Sequence, residues 1–388
     1  MSHSLAIDSK GVPLLDIVGE NRPLHDEILE SIREVFESGR FLYGPAVTEL
    51  EDAVAKLSGA QHAIGCASGS DALLLALLAM AVGPGDEVIV PSFTFFATAS
   101  AIERVGAKIV FVDIDPATFN LDPAKVEVAI TPNTKAVIPV HLFGRAADMT
   151  ELRRIADEAG IRVIEDAAQA IGSAHRNRRV GAWGDVGCFS FYPTKNLGGC
   201  GDGGMMTTSN DELASRLRLF SAHGMNPRYV HRVVGINSRL DTLQAAALCV
   251  KIKHLEHWTE LRRQNAARYH ELFAGAGLTS DITLPADDTD GTHVWNQFTI
   301  RVPNSRRDAL RTHLVEQRIA SEIYYPIPLH QQECFRHIDY APGSLVESER
   351  AAAEVLSLPV FPELTIEEQQ RVVRGILSFF ADRKVSAA

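Results

Sequence analysis

Three things are scarce in this chain of 388 residues: paired cysteines, long apolar runs and positive charge. The five cysteines are Cys66, Cys188, Cys200, Cys249 and Cys334, and no two form a CxxC pair. No metal cage or disulfide framework is expected, and a reducing cytoplasmic setting fits. The longest apolar run, Ala72 to Val82, is far short of the roughly 20 residues a membrane span needs. It reads as a helix buried on all sides, and no membrane partner is expected. The 38 Lys and Arg are outnumbered by 49 Asp and Glu, for a net charge of −11. That argues against nucleic acid as a partner, since nucleic-acid binders carry basic patches. It leaves room for a small anion held by a local basic cluster. The start, Met1 to Asp8, has no basic stretch leading into an apolar one, so no signal peptide is expected. Walker A, HExxH and GxSxG motifs are all missing.

What is present is an alternation. Short, almost continuously apolar segments at His62–Cys66, Val88–Pro91, Ile109–Val112, Ala136–Val140 and Arg162–Glu165 alternate with helical patterns. The helical patterns include Ser70–Ala81, Phe95–Arg104 and Met149–Ala159. Two further helices come earlier, one opened by Pro23 and closed by Gly39, the other opened by Gly44-Pro45 and closed by Gly59. Apolar strands interleaved with helices predict a mostly parallel sheet sandwiched by helices. In such sheets functional groups gather at the carboxyl ends of the strands. Beyond this region one long helix is expected from Leu243 to about Phe273. Strands are then expected at His293–Val302 and Ile319–Tyr324, and helices at Arg307–Gln317, Ser344–Val355 and Ile366–Phe380. These would form a smaller C-terminal α/β domain, with residues 1–250 in a large domain and 251–388 in the small one.

One lysine stands in an unusual setting. Lys195 follows the aromatic strand Phe189-Ser-Phe-Tyr-Pro and precedes a stretch with five glycines, Gly198 to Gly204. An apolar flank buries the lysine stem, and a partly desolvated amine has a lowered pKa and becomes a nucleophile. Upstream, Val163-Ile-Glu-Asp166 ends another strand in an acid. A lysine that can form an imine and an acid at a strand end are the minimum for pyridoxal phosphate (PLP), which uses a lysine Schiff base and an Asp or Arg partner at its ring nitrogen. Gly69-Ser70 opens a helix directly after a strand, a natural place for a phosphate. Ser190 offers a further hydroxyl, and Phe95 offers a face for the ring. Each feature alone has a plainer reading as a helix cap, a turn or core. Gly199-Cys-Gly201-Asp-Gly203-Gly204 matches G-x-G-x-x-G, but a strand and not a helix is expected after it, so a dinucleotide site is not.

Taken together, these residues resemble the DegT/DnrJ/StrS-type PLP-dependent nucleotide-sugar aminotransferases, within the aspartate-aminotransferase (type I) fold. The resemblance rests on Gly69-Ser-Asp-Ala-Leu, Pro91-Ser-Phe-Thr-Phe-Phe-Ala-Thr, Pro139-Val-His-Leu-Phe-Gly, Glu165-Asp-Ala-Ala-Gln and Phe189-Ser-Phe-Tyr-Pro-Thr-Lys. Gly235-Ile-Asn-Ser-Arg-Leu-Asp and Tyr325-Pro-Ile-Pro-Leu-His complete it. It implies that Lys195 holds PLP covalently, Asp166 pairs with the ring nitrogen and Gln169 lies on the O3′ side. Phe95 would stack on the ring, while Gly69, Ser70 and Ser190 bind the phosphate. Asn237 would reach the cofactor phosphate of a second copy, which implies a homodimer. Relatives that dehydrate sugars carry His in place of this lysine. Ser70 stands where Thr is usual, and Arg145 where Gln is common, with no role assigned to it.

The implied reaction moves an amino group from an amino acid, L-glutamate by expectation, to a ketosugar linked to UDP or dTDP. The form of Arg228-Tyr-Val-His-Arg and Asn-Ser-Arg239 is most similar to members that aminate C3, including those acting on UDP-3-keto-N-acetylglucuronate. Arg228, His231, Arg232 and Arg239 form a local basic cluster for the diphosphate or a uronate carboxylate. Tyr324, Tyr325 and His330 are candidates for the sugar pocket. Two other readings stay open: a PLP-binding regulatory protein of the same fold, and a C4-specific enzyme.

Overall fold

A computed structural model describes residues 11–288 and 291–386, so the expectation about Met1 to Asp8 lies outside the described residues. Seven strands form the central sheet: β1 (His62–Cys66), β2 (Glu87–Pro91), β3 (Lys108–Val112), β4 (Thr134–Val137), β5 (Arg162–Asp166), β6 (Val186–Ser190) and β7 (Gly204–Thr208). Their order is β1-β7-β6-β5-β4-β2-β3. From β3 to β6 the neighbours are parallel, and β7 runs antiparallel to both β6 and β1. The mostly parallel sheet is therefore as expected.

Side chains alternate across the sheet with a period of two. Val88, Val90, Ala136 and Ile164 join a core with Ala72, Leu75 and Ala76 of helix α3 (Gly69–Ala79) and Ala99 and Ile102 of α4 (Phe96–Arg104). Their neighbours Ile89, Val137 and Val163 face the other way, onto Met149, Leu152 and Ile155 of α5 (Met149–Ala159). Both faces are covered, which is why the strands read as unbroken apolar runs. Upstream, α1 (His25–Ser38) and α2 (Pro45–Ser58) end at Gly39 and Gly59. Both take left-handed φ, 64° and 76°, where a side chain would be strained. Among the described residues no helix is long and apolar enough to cross a membrane.

The C-terminal third departs from the sequence reading in four places. The single long helix is two: Thr242–Ile252, here α6, and Leu255–Gly275, here α7. Leu248 and Cys249 before the break and Leu255 after it enter the same core, so the apolar periodicity runs through the break and hides it. The expected strand His293–Val302 shrinks to β8 (Phe298–Arg301), because residues 293–296 leave the ladder to grip another loop. Ile319–Tyr324 forms no strand; it makes only isolated bridges, Val12 with Ile319 and Glu322 with Ser357. The true partner of β8 is β9 (Val355–Leu358), antiparallel to it and beginning at the residue where a helix was expected to end.

These elements enclose a second core of Tyr269, Phe273, Phe298, Ile300, Leu310, Ile319, Leu356 and Ile376. Val12 belongs to it as well. Its N–H donates to the Arg318 carbonyl and its carbonyl accepts from Ala320 N–H, each at 2.9 Å.

Candidate active site

Asp166 is the last residue of β5 and Ser190 the last of the adjacent parallel strand β6. Asp166 is buried. One carboxylate oxygen accepts from the Thr98 hydroxyl at 2.8 Å and the other from Ala168 N–H at 3.2 Å. Burial pushes its pKa up; the Thr98 and Ala168 hydrogen bonds and the charge of Lys195 oppose that shift. The neighbouring Glu165 is fully buried and takes a different part. It accepts from Gly181, Trp183 and Gly184 N–H groups and pairs with His141 Nε2 at 3.0 Å. His141 Nδ1 accepts from Ala147 N–H, so Nε2 carries the proton donated to Glu165.

Lys195 sits on the turn after β6, its N–H bonded to the Tyr192 carbonyl at 2.8 Å. Burial of the amine lowers its pKa to about 8, with the Asp166 charge pulling the other way. The glycines let this turn close. A Cβ on Gly198 would stand 2.3 Å from the Pro193 carbonyl oxygen, and one on Gly199 would stand 2.9 Å from Gln244 Oε1. Gln244 Oε1 accepts from Cys200 N–H at 2.8 Å instead. Asn196 donates to the Val294 carbonyl at 2.7 Å and accepts from Asn296 at 2.6 Å. The segment lost from the expected strand at His293–Val302 is therefore what holds the lysine turn.

The start of α3 forms a cradle. Ser68 caps the helix by accepting from Asp71 N–H at 3.1 Å. A Cβ on Gly69 would lie 2.7 Å from Ser190 Cβ, and one on Gly204 would lie 2.4 Å from the Ser68 carbonyl carbon. Gly69 and Ser70 thus open a helix pressed against Ser190. The strand after the glycine run is β7, so the G-x-G-x-x-G match has the wrong context for a dinucleotide.

Phe95 precedes α4 and is 55% exposed, its ring 6.0 Å from that of Tyr325. Gln169 is buried and holds two pieces together: its Oε1 accepts from Phe143 N–H at 2.7 Å and its Nε2 donates to Tyr325 Oη at 3.1 Å. Burial raises the pKa of Tyr325, and that of Tyr324 to about 12. The basic residues lie on an outward loop. Arg228, His231 and Arg232 are exposed, and so is Asn237, which bridges to Ala222. Arg232 Nε donates to the Asn226 carbonyl at 3.0 Å, while the Arg239 guanidinium lies 5.9 Å from the Tyr43 ring.

His330 is buried, with Nδ1 2.6 Å from the Ser92 hydroxyl and Nε2 3.3 Å from a Glu349 oxygen. These bonds pin the Tyr325–His330 segment to the end of β2. Arg145, given no role from the sequence, donates to the Ala286 carbonyl at 3.0 Å. Thr98, His141 and Glu165 were missed as supporting residues, although each lies inside a motif that the sequence singled out.

This donor set fits PLP. A buried carboxylate met by only one hydroxyl and one N–H gains from a cation against it, such as a protonated ring nitrogen. An amine with a lowered pKa stands near it, and a helix start with hydroxyls offers the phosphate seat. The comparisons agree. Residues 23–377 match the model of the DegT/DnrJ/EryC1/StrS aminotransferase family. The chain is 52% identical to the "Pleiotropic regulatory protein" of Geobacillus stearothermophilus, over 95% of this chain and 98% of that one. It is 48% identical to the UDP-N-acetyl-3-dehydro-alpha-D-glucosamine 3-aminotransferase of Acidithiobacillus ferrooxidans, over 94% and 97%. The fold matches the crystal structure of S. venezuelae DesV in complex with a ketimine intermediate, with TM-score 0.92, 43% identity, and 96% of this chain and 99% of that one covered. The chain belongs to the DegT/DnrJ/EryC1/StrS aminotransferase family and is a PLP-dependent aminotransferase.

Proposed function

We propose that the protein works in the cytoplasm and moves an amino group from an amino acid, L-glutamate by expectation, to C3 of a UDP- or dTDP-linked ketosugar. The observation that carries the chemistry is the buried Lys195 amine, its pKa lowered to about 8, beside the buried carboxylate of Asp166. Bound PLP supplies the electron sink that makes the amino-acid Cα proton acidic. Lys195 would hold the cofactor at rest; once freed, its Nζ would take the Cα proton as general base and give it back as general acid. Asp166 keeps a negative charge against the ring nitrogen, and the Thr98 hydroxyl holds that carboxylate in place. Gly69, Ser70 and Ser190 seat the phosphate. Phe95 would cover the ring, and Gln169 would meet its oxygen side. Tyr325, tied to Gln169 and in ring contact with Phe95, would line the sugar pocket with Tyr324.

C3 is supported by the name of the 48% identical relative, a 3-aminotransferase. Arg228, Arg232 and Arg239 would grip the diphosphate, with a uronate carboxylate as the alternative target. Asn237, exposed on the outward loop, would complete the phosphate site of a second copy in a homodimer. The regulatory name of the 52% identical relative favours a second reading. The complete lysine, acid and phosphate set supports turnover over regulation alone. The test is a glutamate-dependent assay on 3-keto and 4-keto nucleotide sugars, with and without a C6 carboxylate. Activity on 4-keto sugars alone would overturn the C3 reading, and activity on none would favour the regulatory one.

A further inference from the structure

The turn carrying Lys195 is held from outside by a second lysine. Lys251, in the last turn of α6, has a side chain only 3% exposed, and its ammonium donates to the Gly198 carbonyl at 2.6 Å. The nearest carboxylate oxygen, on Glu20, is 4.0 Å away, too far for a hydrogen bond. Glu20 also faces buried Arg262 at 3.8 Å. Burying an ammonium is costlier than burying an apolar chain of similar length, and burial here lowers the pKa of Lys251, with Glu20 opposing. Simple filling of space would not require a lysine. Its contact is also well placed to matter. Gly198 is packed so tightly on the Pro193 carbonyl that even a Cβ has no room, so the turn is closed on itself. The other side of the turn is fastened by Asn196 to Val294 and Asn296.

We infer that Lys251 is a positioning residue for Lys195: through the Gly198 carbonyl it fixes the turn from which the Lys195 amine is presented. The inference rests on Lys195 being the lysine that binds the cofactor. Lys251→Met keeps the length and removes the donor; Lys251→Arg restores a cationic donor. The first readout is the rate at which cofactor-free protein captures PLP covalently, followed by visible absorbance and fixed by borohydride reduction. The second is non-covalent PLP affinity in a Lys195→Ala background, and the third is kcat and KM.

Lys251→Met is expected to slow capture and lower kcat by at least about tenfold, as misplacement of a reacting group does. KM for the sugar and the non-covalent affinity should stay within about threefold, and Lys251→Arg should recover most of the loss. Capture within about twofold of the parent overturns the inference. So does an affinity in the Lys195→Ala background that falls as far as capture does, because the whole pocket has then collapsed. If Lys251→Met yields no folded protein, Lys251→Gln, too short to reach Gly198, is read by the same criteria. A Lys195→Ala protein that still forms the reduced adduct is a separate failure: it removes the lysine assignment itself.

Discussion

Two neighbouring loops of this protein are built in opposite ways. The Lys195 turn is fastened from every side: internally to Tyr192 and Phe191, and externally by Asn296, Gln244 and Lys251. The loop from Ala222 to Ser238 points outward, with Tyr229 75% and Val234 93% exposed. Within it Asn226 N–H donates to the Val230 carbonyl and Arg232 N–H to the Gly224 carbonyl, and its ends are tied to the preceding helix, Gly224 N–H to the Leu219 carbonyl and Ser238 N–H to the Ser221 carbonyl. The first loop thus holds Lys195 on braced backbone, while the second carries Arg228, His231 and Arg232 on an exposed face; in the proposed reading the first sets a rate and the second grips the substrate.

The contrast is broken most severely at the lysine. Lys195→Ala should lose about a thousandfold or more of turnover while still binding PLP non-covalently, as steady-state rates and fluorescence titration would show. Asp166→Asn removes the charge and keeps the shape, and about a hundredfold loss in kcat is expected. The kcat of that variant should not recover at any pH, because the amide does not ionise.

The rate of covalent PLP capture by the cofactor-free protein should rise about tenfold from pH 7 to 9 and then level off, because the Lys195 pKa is about 8. An ordinary amine would keep gaining beyond pH 10. The same shift has a stability sign. Protonation of a buried base opposes folding, so the penalty is complete below about 8 and fades as pH climbs toward the ordinary 10.5. Denaturation of the cofactor-free protein at pH 7.5 and 10 reads this directly. The smallest effect belongs to the open loop: Arg228→Ala or Arg232→Ala should raise KM for the sugar several-fold, with kcat nearly unchanged.

The sheet was legible because both its faces are covered, which writes each strand as an apolar run. Lys195, Asp166 and the Gly69-Ser70 helix start were legible because strand ends in a parallel sheet share an edge. The C-terminal third was harder, since the apolar face of α6 and α7 continues through their break. Residues 293–296 have strand-like composition, yet the Val294 carbonyl accepts from Asn196 and the Val294 N–H donates to the Gly144 carbonyl. Nothing in sequence shows that Ser92 and Glu349 would engage both nitrogens of His330. Thr98 was within reach: it lies three residues past Phe95, on the same first turn of a helix.

The bridge between Val12 and Ile319 gives the protein a mechanical property. From Val12, anchored in the second core, the chain runs only eight residues to Glu20, which faces Lys251 and Arg262. A tether so short transmits displacement. If the C-terminal elements swing against the sheet, Val12 travels with them and Glu20 is drawn along, next to the lysine that grips the catalytic turn. Load on the outer part of the molecule would then be felt at Lys195 through a strap of backbone, without any side chain of the pocket having to move first.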